Sequence, residues 1–467
     1  MGPRFSSTAD SPPLTSHLSR LLDLDRLAVE LGAPIGLRTV ALGPNALDAL
    51  TGLVDGPVAV LTDGVPKRRA NLEVLDEVER RLPKDATRAV LIGPHGRVHA
   101  DEATIDGAVA QVAGASCLVT VGSGTLADIG KAVSFRLDRL PHFVVQTATS
   151  VNGFADDQSV LLINGVKRTT HTRWPDAVIA DADVLAGAPP ALNVAGVGDL
   201  LAMFTAPADW SLAHLLGMAD TYSASAVSLA RRHGTRVLSL APRLAGGDPE
   251  AATDVAEVLA YSGISMGVAG TTAPASGMEH TVSHLIEMAM NRRGQEAAYH
   301  GAQVGVSTVV AAVLWKRVLR RLRERLALNF PTADQMGERV RGAFASLDPS
   351  GAMGDECWRL YSRKLGRWSD SRSRLDAIDW RTVEDAVAPL LGAPADLAGS
   401  LKAAGAPVRF SELNPPVAPD LVRWALASCH LMRDRFTVAD LAFFMGEWDS
   451  SQVDAVLEDA ASFGGGE

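Results

Sequence analysis

Through its first 120 residues the chain alternates short apolar runs with segments of helical period, and that alternation limits the possible folds more than any other feature. GLRTVALG (36–43), PVAVLTD (57–63), RAVLIG (88–93) and CLVTV (117–121) read as strands. KRRANLEVLDEVERRL (67–82) and DEATIDGAVAQVA (101–113) read as helices between them. Strand, helix, strand in repetition predicts a parallel sheet with helices on both faces. Ligands of such sheets bind beyond the carboxyl ends of the strands.

The residues at those ends are the first candidates for a site. CLVTV runs directly into GSGTLADIGKAVS, where Gly122 and Gly124 permit close backbone approach and a helix from Thr125 directs free N–H groups toward a phosphate. The pattern lacks the third glycine of G-x-G-x-x-G, so it is either a pyrophosphate cradle or a plain strand-to-helix turn. Asp63, ending its strand, suits a ribose hydroxyl or a helix cap. In HFVVQTATSVNGFADDQSVLLINGVKRTT (142–170) a strand leads to Thr147, Thr149, Ser150 and Asn152. A second strand, VLLI, and a turn at Asn164 and Gly165 follow.

After DAVIADADVLAGAPP (176–190) strand signals fade and helical patterns run almost to the end. With 467 residues the chain exceeds one comfortable core. We therefore expect a tail over residues 1–17, an α/β domain over 18–187 and an all-helical domain over 188–460, with a cleft between the two domains. In the second part, PASGMEHTVSHLIEMAMNRRGQEAAYHGAQV (274–304) holds three of the eleven histidines. His280 and His284 are four apart, on one helix face, and His300 follows. With Asp199 from GVGDLLAMFTAPADW, His280 and His300 form a candidate set of three ligands that leaves a position open, as a catalytic divalent metal requires. Packed or surface histidines at the same spacing are the alternative.

Charge and cysteines narrow the class. A formal net charge of -10 argues against nonspecific nucleic-acid or anionic-membrane binding. Cys117, Cys357 and Cys429 are scattered and odd in number, which fits neither a disulfide framework nor a zinc ribbon and suits a reducing cytosol. The apolar run VGVSTVVAAVLW stops at Lys316, short of the ~20 residues that a spanning helix needs. A cytoplasmic enzyme without membrane insertion is the expectation. The basic run KRVLRRLRER (316–325) reads as a solvated face or subunit contact.

GSGTLADIGK, TATSVNGFADDQSVLLINGVKRT, AVIADADVLAGAPPAL, GVGDLLAMFTAPADWSLAHLLG, PASGMEHTVSHLIEM and YHGAQVGVST resemble successive blocks of the sn-glycerol-1-phosphate dehydrogenases. That family lies in the superfamily of iron-containing alcohol dehydrogenases, glycerol dehydrogenase and dehydroquinate synthase. The likeness continues through GDECWRLYSRKLGRW and FTVADLAFFMGEW, as in the bacterial branch. The resemblance implies a Rossmann-like dinucleotide-binding domain joined to a helical metal-binding domain. It also implies a homodimer and reduction of dihydroxyacetone phosphate to sn-glycerol 1-phosphate by NADH or NADPH. Position by position it assigns Gly122, Ser123, Gly124, Thr125 and Asp128 to the cofactor pyrophosphate loop, and Thr147 and Ser150 to a second cofactor contact. Asp199, His280 and His300 match the metal ligands, for zinc, nickel or iron, and His284 matches a substrate-contacting histidine. The mechanism it implies is Lewis-acid help to a ketone oxygen, hydride from the nicotinamide and a proton from His284 or metal-bound water.

Three departures mark this chain. Asn152 stands where the family has a substrate-contacting acid. Asp156 stands where a small hydroxyl residue near the cofactor is usual, and a carboxylate there repels a phosphate unless it is turned away or paired. Ala302 and Gln303 replace an acid and a lysine. Lys131, Lys167 and Arg168 are either partners for the substrate phosphate or structural charges. Two other functions compete: a dehydroquinate-synthase-like carbon–oxygen lyase acting on a sugar phosphate, and a binding partner that has lost dehydrogenase activity.

Overall fold

The structure, a computed structural model, describes residues 19–93, 98–163, 165–324 and 327–467. The tail expected over residues 1–17, Asn164 of the expected turn and Arg325 of the basic run lie outside the described residues.

The strands in chain order are β1 (Arg20–Leu21), β2 (Thr39–Gly43), β3 (Val58–Asp63), β4 (Arg68–Arg69), β5 (Leu72–Glu73), β6 (Thr87–Leu91), β7 (Cys117–Gly122), β8 (His142–Gln146), β9 (Gln158–Ile163), β10 (Val166–His171) and β11 (Ala177–Asp181). Seven form one sheet in the order β1-β2-β11-β8-β7-β3-β6. β1 runs antiparallel to β2, and every other pairing is parallel. β7, β8 and β11 are buried along their whole length, so their apolar residues continue without alternation, as helices on both faces require. All the parallel strands end on the same side, at Gly43, Asp63, Leu91, Gly122, Gln146 and Asp181.

The expected 67–82 helix is shorter than its periodicity suggests. Arg68–Arg69 pairs antiparallel with Leu72–Glu73 around Ala70 at φ 53°, and helix occupies only Val74–Glu79. A tertiary ion pair overrides the local preference: the Arg69 Nε lies 3.1 Å from Asp181 at the end of β11, while Lys67 bonds Asp63 four residues before it. The expected 101–113 helix spans Glu102–Val112, with the Asp101 side chain accepting from the N–H of Thr104 as an N-cap.

Beyond Asp181 the chain is helical among the described residues. Two long stretches, Pro190–Leu216 and His300–Leu322, are apolar enough by composition to cross a membrane, yet 83% of each apolar window is buried inside the molecule. They are core helices. His300–Leu322 packs against Pro190–Leu201 so closely that a Cβ on Gly198 would lie 2.2 Å from the carbonyl oxygen of Gly301. The missing side chain lets the two backbones approach. The basic end of the His300–Leu322 helix is matched by acids: Arg317 Nη1 lies 2.8 Å from Asp459 and Arg321 Nε 2.6 Å from Glu447. Cys117, Cys357 and Cys429 are free thiols and buried.

Candidate active site

Asp199 comes from the Pro190–Leu201 helix, His280 and His284 from Met278–Arg292, and His300 is the first residue of its helix. The glycine contact between Gly198 and Gly301 brings the neighbours of both residues together. Nε2 of His280 lies 3.4 Å and Nε2 of His300 4.0 Å from Oδ1 of Asp199. One ligand atom from each residue falls within 4.8 Å of the others.

The second nitrogen of each histidine is already engaged. Nδ1 of His280 is 3.1 Å from Oε1 of Glu279, and Nδ1 of His300 is 2.9 Å from Oε1 of Glu287 and 3.1 Å from Oγ of Ser283. A carboxylate on Nδ1 orients an imidazole and directs Nε2 to a cation. Oδ2 of Asp199 accepts the N–H of Asn152 at 2.9 Å, whereas the buried Oδ1 has no hydrogen-bond partner. A buried carboxylate oxygen without a donor is costly unless a cation completes it. Three neighbouring donors with an orphaned oxygen among them fit a divalent cation.

The electrostatics set the histidines apart. Burial, then Lys167 and His280, hold His300 well below the ordinary imidazole range, and burial, Arg433 and Lys167 do the same to His284. Burial opposes protonation of His280 too, but Asp199 and Glu279 outweigh it and raise that group. Neutral imidazole is the form that ligates.

On the sheet side, the helix Gly124–Arg136 starts directly after β7, and the hydroxyl of Ser123 makes no capping bond to it. Its first-turn N–H groups therefore remain for a ligand. A Cβ on Gly124 would lie 2.5 Å from Cγ2 of Val151, so a larger residue here would push that side chain aside. Asp63, Ser123, Gly124, Thr125, Asp128, Thr147, Ser150, Asn152, Asp156, Asp199, His280, His284 and His300 all line one cavity of about 540 Å³. Gly122 lies behind its wall as the last residue of β7. The glycine turn and the histidine cluster, far apart in sequence, thus face the same space.

The departures resolve differently. Asp156 is turned to the buried Lys131, whose Nζ stands 2.6 Å from Asp156, 3.2 Å from Asp128 and 2.7 Å from the Gly153 carbonyl. The carboxylate is paired rather than presented bare to a phosphate. Burial pushes Asp128 up to about 6 despite Lys131. Lys131 is structural, Lys167 pairs with Glu287, and Arg168 lies 3.2 Å from Glu356. The side chain of Asn152 donates to Oγ of Ser262 at 3.1 Å. Gln303 is buried and donates to the Ala298 carbonyl at 2.8 Å, so it serves the start of its helix. Asp63 bonds Lys67 and accepts the N–H of Val65 at 3.1 Å.

Sequence reading missed four residues. Glu279 and Glu287 share the helix of His280 and His284, and the spacing E-H-x3-H-x2-E was a usable signal. Asp209 accepts the N–H groups of Met278 and Val438 at 2.9 Å each and the Trp315 indole N–H at 3.0 Å, tying three helical segments together. Arg433, 149 residues from His284, donates to its Nδ1 at 2.7 Å. No local pattern points to those last two.

Residues 45–189 match the family described as iron-containing alcohol dehydrogenase. Glycerol-1-phosphate dehydrogenase, NAD(P)+, of Geobacillus stearothermophilus is 32% identical over 293 residues, covering 62% of this chain and 72% of that protein. The chain belongs to the glycerol-1-phosphate dehydrogenase family. The Bacillus licheniformis member of the family is 28% identical over 416 residues, 86% of this chain and 88% of its own length. Among solved structures, glycerol dehydrogenase from Schizosaccharomyces pombe shares the fold at a TM-score of 0.56 with 15% identity, over 91% of this chain and 89% of that one. Like its relatives, this family member combines a parallel-sheet N-terminal domain with a helical C-terminal part.

Proposed function

We propose that the protein is a metal-dependent NAD(P)H oxidoreductase that reduces dihydroxyacetone phosphate, or a related phosphorylated ketone, to sn-glycerol 1-phosphate. The observation that carries this reading is the shared cavity: the Asp199, His280 and His300 donors on one wall, the glycine turn and the open helix N-terminus on the other. In this reading residues 18–187 form the dinucleotide domain and 188–460 the metal and substrate domain.

Asp199, His280 and His300 would hold the cation, with zinc, nickel and iron all suited to a carboxylate and two imidazoles. Gly122, Ser123, Gly124, Thr125 and Asp128 would hold the pyrophosphate, Thr147 and Ser150 a second part of the cofactor, and Asp63 the ribose. When bound, the cation supplies Lewis-acid stabilisation of negative charge on a carbonyl oxygen and the nicotinamide supplies hydride. The chain's own residues do the rest. Glu279 and Glu287 orient the imidazoles, Asn152 holds one oxygen of Asp199 through its backbone, and Lys131 neutralises Asp128 and Asp156 beside the turn. A homodimer in the cytoplasm is part of the proposal.

The test is oxidation of NADH and of NADPH with dihydroxyacetone phosphate after loading zinc, nickel or iron, with the stereochemistry of the product determined. Stoichiometric cofactor oxidation and sn-glycerol 1-phosphate are expected. Phosphate release without net cofactor oxidation would favour a lyase, and no turnover with any metal would end the reading.

A further inference from the structure

The C-terminal part of the chain reaches the site through one strap, residues 429–436, between the Pro419–Ser428 and Val438–Phe444 helices. Lys364, fully buried, pins the strap from beneath: its Nζ donates to the His430 carbonyl at 2.6 Å and the Arg435 carbonyl at 3.1 Å, and lies 2.6 Å from Asp440. Arg435 clamps the strap to the loop before the metal helix, donating to Oγ of Ser276 at 2.8 Å and Oγ1 of Thr272 at 2.7 Å. Between these anchors Arg433 points to His284.

Arg433 is a costly residue to keep there. Its side chain is half-buried with Nε shut off from solvent and without a partner, and among the described residues no ion pair within 4.0 Å compensates it. Burial, with Arg435 and Arg168 nearby, lowers it to about 9, so it stays charged at neutral pH. A half-buried guanidinium donating to an imidazole instead of a carboxylate is a poor source of stability. Its effect lies on the imidazole. Guanidinium has donors and no acceptor, so the Nδ1 it contacts at 2.7 Å must be the unprotonated nitrogen. The single ring proton then belongs on Nε2, the nitrogen left for whatever occupies the cavity that His284 lines.

We propose that Arg433 is a positioning residue that fixes His284 in the Nε2–H tautomer, making it a hydrogen-bond donor to an oxygen of the bound substrate rather than the acid that delivers the proton. A neutral imidazole that donates without giving up its proton can polarise a carbonyl or hold a hydroxyl. The proton that completes the reduction then comes from another source, such as solvent reaching the cavity. This inference rests on the reductase reading for the substrate, but the tautomer does not.

The experiment uses full-length protein labelled with ¹⁵N-histidine and loaded with zinc, with the His284 signals assigned from a His284→Gln variant. Long-range proton–nitrogen spectra are expected to show Nε2 protonated and Nδ1 bare in the wild type. In Arg433→Met the two tautomers should mix, and in Arg433→Lys the wild-type pattern should return. Steady-state kinetics with dihydroxyacetone phosphate should show kcat lower by roughly 10–100-fold in the Met variant, the scale of losing an orienting partner of a histidine, with KM for NADH unchanged and Lys restoring most of the rate. An Nδ1-protonated or imidazolium His284 in the wild type overturns the proposal, whether or not the enzyme turns over and whether or not Arg433→Met folds. The expected tautomer with no activity on any ketone would instead remove the reductase reading.

Discussion

The backbone N–H of Asn152, in the loop after β8, donates to Oδ2 of Asp199 at 2.9 Å, while Oδ1 of the same carboxylate faces His280 and His300. The sheet side of the molecule thereby holds one oxygen and leaves the other without a hydrogen-bond donor. Asp199→Asn is expected to lower zinc affinity by more than roughly 100-fold, because losing even a supporting partner costs about 10–100-fold. Metal content after dialysis against a calibrated chelator measures it. Full retention of metal would remove Asp199 from the ligand set.

Glu279→Gln and Glu287→Gln test the supporting layer separately. Each keeps size and one acceptor but loses the charge that orients His280 or His300. Zinc affinity is expected to fall by roughly 10–100-fold in each. Chelator competition is again the readout, and an affinity equal to wild type in both variants would show that the carboxylates serve packing alone.

Gly198→Ala places a methyl group 2.2 Å from the Gly301 carbonyl oxygen, a backbone atom that cannot swing aside. The helices bearing Asp199 and His300 must separate. Overpacking of this kind costs about 1–3 kcal/mol, seen as a lower urea midpoint with the slope unchanged. Metal affinity should fall with it, since the same separation pulls the donors apart.

Lys131→Met strands Asp128 and Asp156 as unpaired carboxyls in a buried site. A broken buried pair costs about 3–5 kcal/mol. Adding Asp128→Asn and Asp156→Asn to the same protein removes the stranded charges and should recover a large part of that loss. Chemical denaturation of the three proteins decides, and a Lys131→Met protein as stable as wild type would contradict the assignment.

His142 gives a pH signature. Burial, then Arg173 and Lys131, lower it to about 3, and its Nε2 lies 2.8 Å from Oγ1 of Thr120. The unfolded chain binds this proton near 6.5 and the folded chain does not until about 3. Stability is therefore full above pH 6.5 and falls as the pH drops from there toward 3. One such group contributes a slope of about 1.4 kcal/mol per pH unit within that window. His142→Gln should show a shallower acid limb by that amount when unfolding free energy is followed from pH 7 to 4. An unchanged slope would mean that the ring is protonated in the fold.

Most of the fold was legible from the chain. The buried strands announced themselves as unbroken apolar runs, and four expected strands coincide with β2, β3, β6 and β7 to within a few residues. Such runs are legible because both faces of the sheet are covered, so the inner strands are mostly apolar on both sides. The 67–82 segment failed for the opposite reason. Its period is helical, but the ion pair from Arg69 to Asp181 bends its first part into a short hairpin. That partner lies 112 residues away, beyond any local window.

The candidate site divides along the same line. Residue type and spacing made Asp199, His280, His300 and the turn at Gly122 to Thr125 candidates beside plainer structural readings, and the family resemblance chose between them and gave His284 its role. Tertiary structure alone decided what each one faces. It turned Asp156 to Lys131, set Asn152 against Asp199 and Ser262, and brought Arg433 to His284 across 149 residues. The physical reason is that a periodic pattern records which side of an element is buried, whereas the partner of a buried charge is chosen by helices meeting at glycines such as Gly198 and Gly301, a contact with no trace in local sequence.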